Sequence, residues 1–200
     1  MNLNPFFLHE KNLYQLKLII IFNGKFVSLD RNKMGLVVGI SGVSRAGKTT
    51  LSKQIKKWYS GLQTAFISMD EFVFPVDQIP KINNEVDWEV PASVDYDKLY
   101  DHLTDITSFN DIIIAEGILI FNNENLNSLF NKRIHVEIAE DIYFERKRND
   151  KRWKVPDWYI KHIWDSYGKY RSQATRNSLK VDGTIPLSLQ KMKIMDFLNI

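Results

Sequence analysis

Eight residues, Gly42-Val43-Ser44-Arg45-Ala46-Gly47-Lys48-Thr49, constrain the fold of this chain more than any others. They match G-x-x-x-x-G-K-[ST] without a mismatch. Glycines let the backbone curl so that its N–H groups point inward, and a following helix adds its N-terminal partial positive charge. The motif therefore needs a strand before it and a helix after it. Both are legible here. Leu36-Val37-Val38-Gly39-Ile40 is the short apolar run of a strand buried on both faces. Leu51, Ile55, Trp58 and Tyr59 then recur at helical spacing. In that setting Lys48 is expected to reach the β- and γ-phosphates of a nucleoside triphosphate, and Thr49 to place its hydroxyl on Mg²⁺.

The same alternation continues. Strands are expected at Ala65–Ser68, Asp111–Ala115, Ile134–Ile138 and Leu179–Val181. Helices are expected around Tyr96–Ile106, from about Asp141, after Pro156, and over 188–198. On the helix after Pro156, Ile160, Ile163, Trp164, Tyr167 and Tyr170 form one face, read as core. Such alternation implies an α/β fold, a parallel sheet with helices on both faces, and the phosphate loop makes the expected architecture a P-loop NTPase three-layer sandwich. Everything from Gly35 onward reads as one domain, 35–200. Residues 1–34 stand apart. Leu16–Phe22, Asn23-Gly24 and Lys25–Leu29 read as a β-hairpin with a type I′ turn. The alternative is a start at Met34, with upstream sequence before it.

Composition narrows the function class. The chain has 200 residues, 44% hydrophobic and 26% charged, enough for a core and too regular for disorder. A formal net charge of +3 does not point to nucleic acid. With no cysteine, disulfides and thiolate metal sites are excluded. No apolar run reaches the roughly 18 residues of a membrane helix, and the N-terminus makes a poor signal peptide. The expectation is a cytoplasmic protein, monomer or homodimer, without nucleic-acid or membrane partners.

Two carboxylates fall at the carboxyl ends of expected strands, where ligands of open parallel sheets collect: Asp70 and Glu116. Asp70 suits the proton of an acceptor hydroxyl, or Mg²⁺; Glu116 suits the metal. Arg146, Arg148 and Arg152 sit in a charged stretch before Pro156 and suit charge neutralisation over a nucleotide. Trp88-Glu89 pairs an aromatic face with a carboxylate, which a ribosyl compound could use, or which could merely cover the core edge. The four histidines lack metal-ligand spacing and are read as structural or surface residues.

These pieces resemble the uridine kinase-like P-loop kinases, most closely the nicotinamide riboside kinases. The matching stretches are Gly39–Val43 leading into Gly47-Lys48-Thr49-Thr50-Leu51, Ile67–Phe72, Ile114–Asn122, Pro156-Asp157, His162-Ile163-Trp164 with Lys169-Tyr170-Arg171, and Val181–Thr184. The resemblance implies a five-stranded parallel sheet, a helical lid, and an ATP site with Mg²⁺ at residues 42–50. It implies that Asp70 is the acid/base and metal-associated residue, and that Asp70, Glu71, Phe72, Val73, Trp88 and Glu89 meet the acceptor. It places Arg148 in the lid as a catalytic and acceptor-contacting arginine, with Lys151–Trp153 nearby. Asp182, Gly183 and Thr184 would flank adenine, with Arg146 and Arg152 on the nucleotide. The implied reaction moves the γ-phosphoryl group of ATP to the 5′-hydroxyl of nicotinamide riboside, or of uridine or cytidine. A nucleotide-binding regulatory module without turnover is the rival of another class. Two departures stand out. The family's aromatic-Asp pair is Trp88-Glu89 here, and the middle arginine of its lid run is Lys147.

Overall fold

The computed structural model describes residues 17–22 and 25–30 by their backbone, and residues 34–200 in full. The chain divides into two units, 1–34 and 35–200. In the first, β1 (Lys17–Phe22) and β2 (Lys25–Asp30) pair antiparallel, with Phe22 opposite Lys25 and Lys17 opposite Asp30. The expected strands of the hairpin are therefore present; its Asn23-Gly24 turn lies outside the described residues.

The second unit is built on β3 (Leu36–Gly42), buried from Val37 onward. It is followed by α1 (Lys48–Trp58), β4 (Thr64–Ser68), a small antiparallel pair β5 (Lys81–Ile82) and β6 (Glu85–Val86), and α2 (Tyr96–Ile106). Then come β7 (Ile112–Glu116), the short α3 (Glu124–Asn127), β8 (Lys132–Glu137), α4 (Glu140–Arg148), α5 (Asp157–Thr175), β9 (Leu179–Asp182) and α6 (Leu187–Leu198). Five of the strands form one parallel sheet in the order β4-β7-β3-β8-β9.

Sheet geometry sorts the apolar side chains into layers, because successive residues of a strand face opposite sides. Val38, Ile40, Ile112 and Ile114 join Leu51 and Ile55 of α1, Ile163 and Tyr167 of α5 and Ile194 of α6 in one cluster. Val37, Ile113 and Ala115 join Leu99 and Leu103 of α2, with Leu119 and Phe121, in the other. Each fully buried Leu or Ile contributes ~1.5–3 kcal/mol, so the sheet is held from both sides. The aromatic face expected on α5 is core, as read, with one difference. Tyr170 packs against the second cluster, away from Ile163 and Tyr167. Rotation is not the reason, since seven residues bring position 170 back to within about 20° of position 163. The length of the 19-residue helix is, because its C-terminal end, with Ala174 and the Tyr170 carbonyl that accepts from Asn122, has reached the second cluster.

Local chemistry explains several boundaries. Asp95 caps α2 by accepting from the backbone N–H of Lys98 at 3.0 Å. Asn83 and Asn84 both have positive φ (49° and 64°), which lets a two-residue turn join β5 to β6. Because the five strands are parallel, Gly42, Ser68, Glu116, Glu137 and Asp182 all end at one edge. That edge carries the site.

Candidate active site

The phosphate loop rises from β3 and enters α1 without a spacer. Gly47 is the last residue before the helix, with φ 111°, a conformation side-chain-bearing residues rarely adopt. Ser44, Arg45, Ala46, Gly47, Lys48, Thr49 and Thr50 line a cleft of about 750 Å³. Val43 is buried beneath them, and Gly42 packs against Val136 of β8. Across the cleft, a Cβ on Gly183 would lie 2.2 Å from the carbonyl oxygen of Ala46, so only glycine permits this approach. Gly183 and Thr184 line the cleft as well. Asp182 does not line it; its carboxylate accepts from the Thr184 backbone N–H (2.7 Å) and hydroxyl (2.6 Å) and shapes its own loop. Those bonds hold the Asp182 carboxyl below the usual range.

The cleft's chemistry is that of a polyphosphate and its cation. Lys48 Nζ donates to the Val43 carbonyl at 3.3 Å. Thr49 Oγ1 donates to Glu116 Oε1 at 2.5 Å, joining the loop to the end of β7. Among the described residues no three acidic or imidazole groups form a cage that could hold a metal alone. A hydroxyl, one or two carboxylates and phosphate oxygens are the donor set that suits Mg²⁺. Asp70 lies on the short turn Met69–Glu71 after β4 and lines the same cleft.

The lid residues part company. Arg146 donates to the carbonyls of Arg45 (3.2 Å) and Gly183 (3.0 Å), tying the phosphate loop to the β9–α6 loop. Arg148, expected in the catalytic centre, lines neither cavity. Its side chain is 60% exposed, 3.9 Å from Asp157 and over the Phe144 ring. Helical geometry is the reason: consecutive residues on α4 are about 100° apart. Arg146 faces the nucleotide cleft, Lys147 faces the neighbouring cavity, and Arg148 faces solvent. Arg152 lines both cavities.

That neighbouring cavity holds about 580 Å³, and Asp70 stands in its wall as well as in the cleft's. Val73, Trp88, Glu89, Lys147 and Trp153 line it. Glu71 is exposed and Phe72 is buried in the core beside His102, so neither reaches the cavity. Glu89 is only 5% exposed. Burial pushes its carboxyl up to about 7; Lys147 opposes the shift and Asp87 adds to it. Lys147 is 3% exposed, pushed down by burial, with Nζ 4.4 Å from the centre of the Trp153 ring.

The segment bearing Trp88-Glu89 is fastened to α5. Tyr159 Oη donates to the Val86 carbonyl (3.0 Å) and accepts from the Trp88 N–H (3.2 Å). His162 Nε2 lies 2.7 Å from Asp87 Oδ1, which also accepts from the Glu89 N–H. His162, read from sequence as structural or surface, thus stands one residue behind the cavity. Tyr159 and Asp87 were given no role from the sequence, and Lys147 was noted only as a departure in the lid run. His135 is the buried structural histidine expected, set between the Ser41 and Tyr167 hydroxyls (2.7 and 2.9 Å), with burial pushing it down to about 4.

The chain matches no family model. It is 28% identical over 170 residues to human nicotinamide riboside kinase 1, covering 74% of this chain and 84% of that protein. It is 29% identical over 148 residues to a uridine kinase of Limosilactobacillus reuteri, covering 60% and 67%. In fold it is similar to a possible uridine kinase from Bacillus stearothermophilus (TM-score 0.53, 18% identity, 74% of this chain and 89% of that one). A sugar kinase from Janibacter sp. HTCC2649 superposes with TM-score 0.59 at 16% identity, covering 83% and 95%. With its complete phosphate loop and its five-stranded parallel sheet, the chain has the fold of P-loop kinases and is similar in sequence to nicotinamide riboside and uridine kinases, which makes it an ATP-dependent phosphotransferase with a hydroxyl acceptor.

Proposed function

We propose that residues 35–200 transfer the γ-phosphoryl group of ATP to the 5′-hydroxyl of a nucleoside-like ribosyl compound, nicotinamide riboside first, giving nicotinamide mononucleotide for NAD biosynthesis. One observation carries the reading: a polyphosphate cleft and an aromatic, carboxylate-bearing cavity share Asp70 in their common wall. A hydroxyl brought to Asp70 from the second cavity is next to the cleft's phosphate end. Asp70 orients it and takes its proton. Lys48, Arg45 and Arg152 neutralise phosphate charge, and Thr49 and Glu116 hold the cation's side of the cleft. Bound Mg-ATP supplies the phosphoryl group and a cation that draws charge off its oxygens. Trp88 and Trp153 offer ring faces to a base, and Glu89 accepts from a ribose hydroxyl.

Uridine or cytidine is the second reading, favoured by Lys147. A buried ammonium in the cavity wall opposes a cationic pyridinium and tolerates a neutral pyrimidine. The test is incubation of the purified chain with Mg-ATP and nicotinamide riboside, uridine, cytidine, adenosine or pantothenate, measuring ADP and the phosphorylated product. A 5′-monophosphate from one acceptor establishes the reaction and names its substrate. ATP binding with no product from any acceptor favours the regulatory module.

A further inference from the structure

Asp150 lies just past α4, in the bend before α5, and its carboxylate is shared between two parts of the molecule. Its Oδ1 accepts from the Arg152 backbone N–H (3.0 Å) and Nε (3.2 Å), and its Oδ2 from Arg152 Nη2 (3.3 Å). Nη1 of Arg45, from the phosphate loop, stands 3.5 Å from the same Oδ2. The Asp150 side chain is 5% exposed although both arginines reach solvent. The bonds from Arg152 hold its carboxyl at about 2, so it is ionised at any ordinary pH. Arg45 and Arg152 both line the nucleotide cleft, whereas Asp150 lines the cavity beside it.

A carboxylate next to a polyphosphate repels it unless cations outnumber it, and here Arg45, Arg152 and the nearby Lys147 do. The arrangement has a geometric consequence. A guanidinium is a planar fork, and Arg152 is gripped along its Nε–Nη2 edge. Its remaining N–H groups are thereby fixed in direction rather than left to a flexible side chain. Arg45, whose backbone is in the left-handed region (φ 67°), is drawn to the same point. We propose that Asp150 is a positioning residue: it holds the lid's Arg152 and the phosphate loop's Arg45 on one carboxylate, pre-setting both for the terminal phosphate of a nucleoside triphosphate. This rests on the kinase reading of the cleft and is independent of which acceptor fills the cavity.

The experiment therefore uses nucleotide alone. Dissociation constants of Mg-ADP and of the non-hydrolysable triphosphate Mg-AMP-PNP are measured by calorimetry at fixed salt, with the full chain. Their ratio isolates the terminal phosphate, and ADP binding reports that the cleft is still folded. Asp150→Asn is expected to shrink the ratio about tenfold, the scale of one charge-assisted hydrogen bond. Arg152→Ala should shrink it as well, and the double variant should lose clearly less than the sum of the two, because Asp150 acts in part through Arg152 and in part through Arg45. Arg152→Lys, which leaves Asp150 in place but loses the fork, should show the same loss and covers the case in which Asp150→Asn does not fold. An unchanged ratio in Asp150→Asn or Arg152→Lys overturns the proposal. So does a larger ratio, which would make Asp150 a repelling charge, or losses that simply add in the double variant.

Discussion

The phosphate-loop cleft and the cavity proposed for the acceptor touch at Asp70 but are built on different principles. The cleft takes most of its wall from one contiguous run, residues 44–50, at the edge of a parallel sheet. Its functional groups are aimed by backbone: a left-handed glycine, the start of a helix, the ends of strands. The cavity is assembled from segments far apart in sequence, Val73, Trp88-Glu89, Lys147 and Trp153. Its groups are aimed by long-range side-chain bonds and perturbed by burial, most clearly Glu89. On the proposed function, generic phosphate chemistry sits where local sequence can specify it, and selectivity for an acceptor sits where only packing can.

Substitutions test that contrast. The largest effects belong to the shared wall and the loop. Asp70→Ala should leave ATP binding largely intact and lower kcat ~10²–10⁴-fold; wild-type turnover would remove Asp70 from the mechanism. Lys48→Ala should lower kcat ~10²–10³-fold and weaken ATP binding, and unchanged kinetics would undo the assignment of the cleft.

Glu89→Gln comes next and should separate the two regions. The acceptor KM should rise ~10–100-fold, the scale of a hydrogen bond to a charged group, while the ATP KM stays put. The pH dependence has a definite sign. Glu89 must be ionised to accept well, so acceptor kcat/KM should rise from pH 6 to 8 through about 7 and flatten in the variant. Stability runs the other way. A carboxyl raised on folding contributes stability below its unfolded pKa and loses it as pH climbs through the folded value. The melting temperature should therefore fall between pH 5 and 8, and fall less in Glu89→Gln.

His162→Ala should be milder, since it loosens the segment behind Trp88-Glu89 without touching the cavity. A rise of ~3–10-fold in acceptor KM is expected for one lost hydrogen bond. An equal rise in ATP KM would show that the two regions are not independent. Arg148→Ala should matter least, within about twofold in kcat/KM, as exposed ion pairs contribute little. A hundredfold loss would bring Arg148 back into the centre and blur the contrast.

The same contrast explains what was legible beforehand. The five parallel strands stood out as short apolar runs and most of the helices as stripes at helical spacing, and each formed near its expected place. The β5–β6 pair is too short for any period, and α3 spans four residues. The loop residues and Glu116 were readable because strand ends and a spacing rule locate them. Arg148 was singled out by the family resemblance from a charged run that also holds Arg146 and Arg152, and neither the resemblance nor the run reveals which face of the helix points inward.

By itself the sequence determined the phosphate loop, the alternation that makes a parallel sheet, and the carboxylates at strand ends, since each depends on near neighbours in the chain. Tertiary structure alone decided that Lys147 rather than Arg148 lines the second cavity, that His162 meets Asp87 across 75 positions, and that Asp150 gathers two arginines. Those outcomes depend on helix rotation and on burial, and both are properties of the packed molecule.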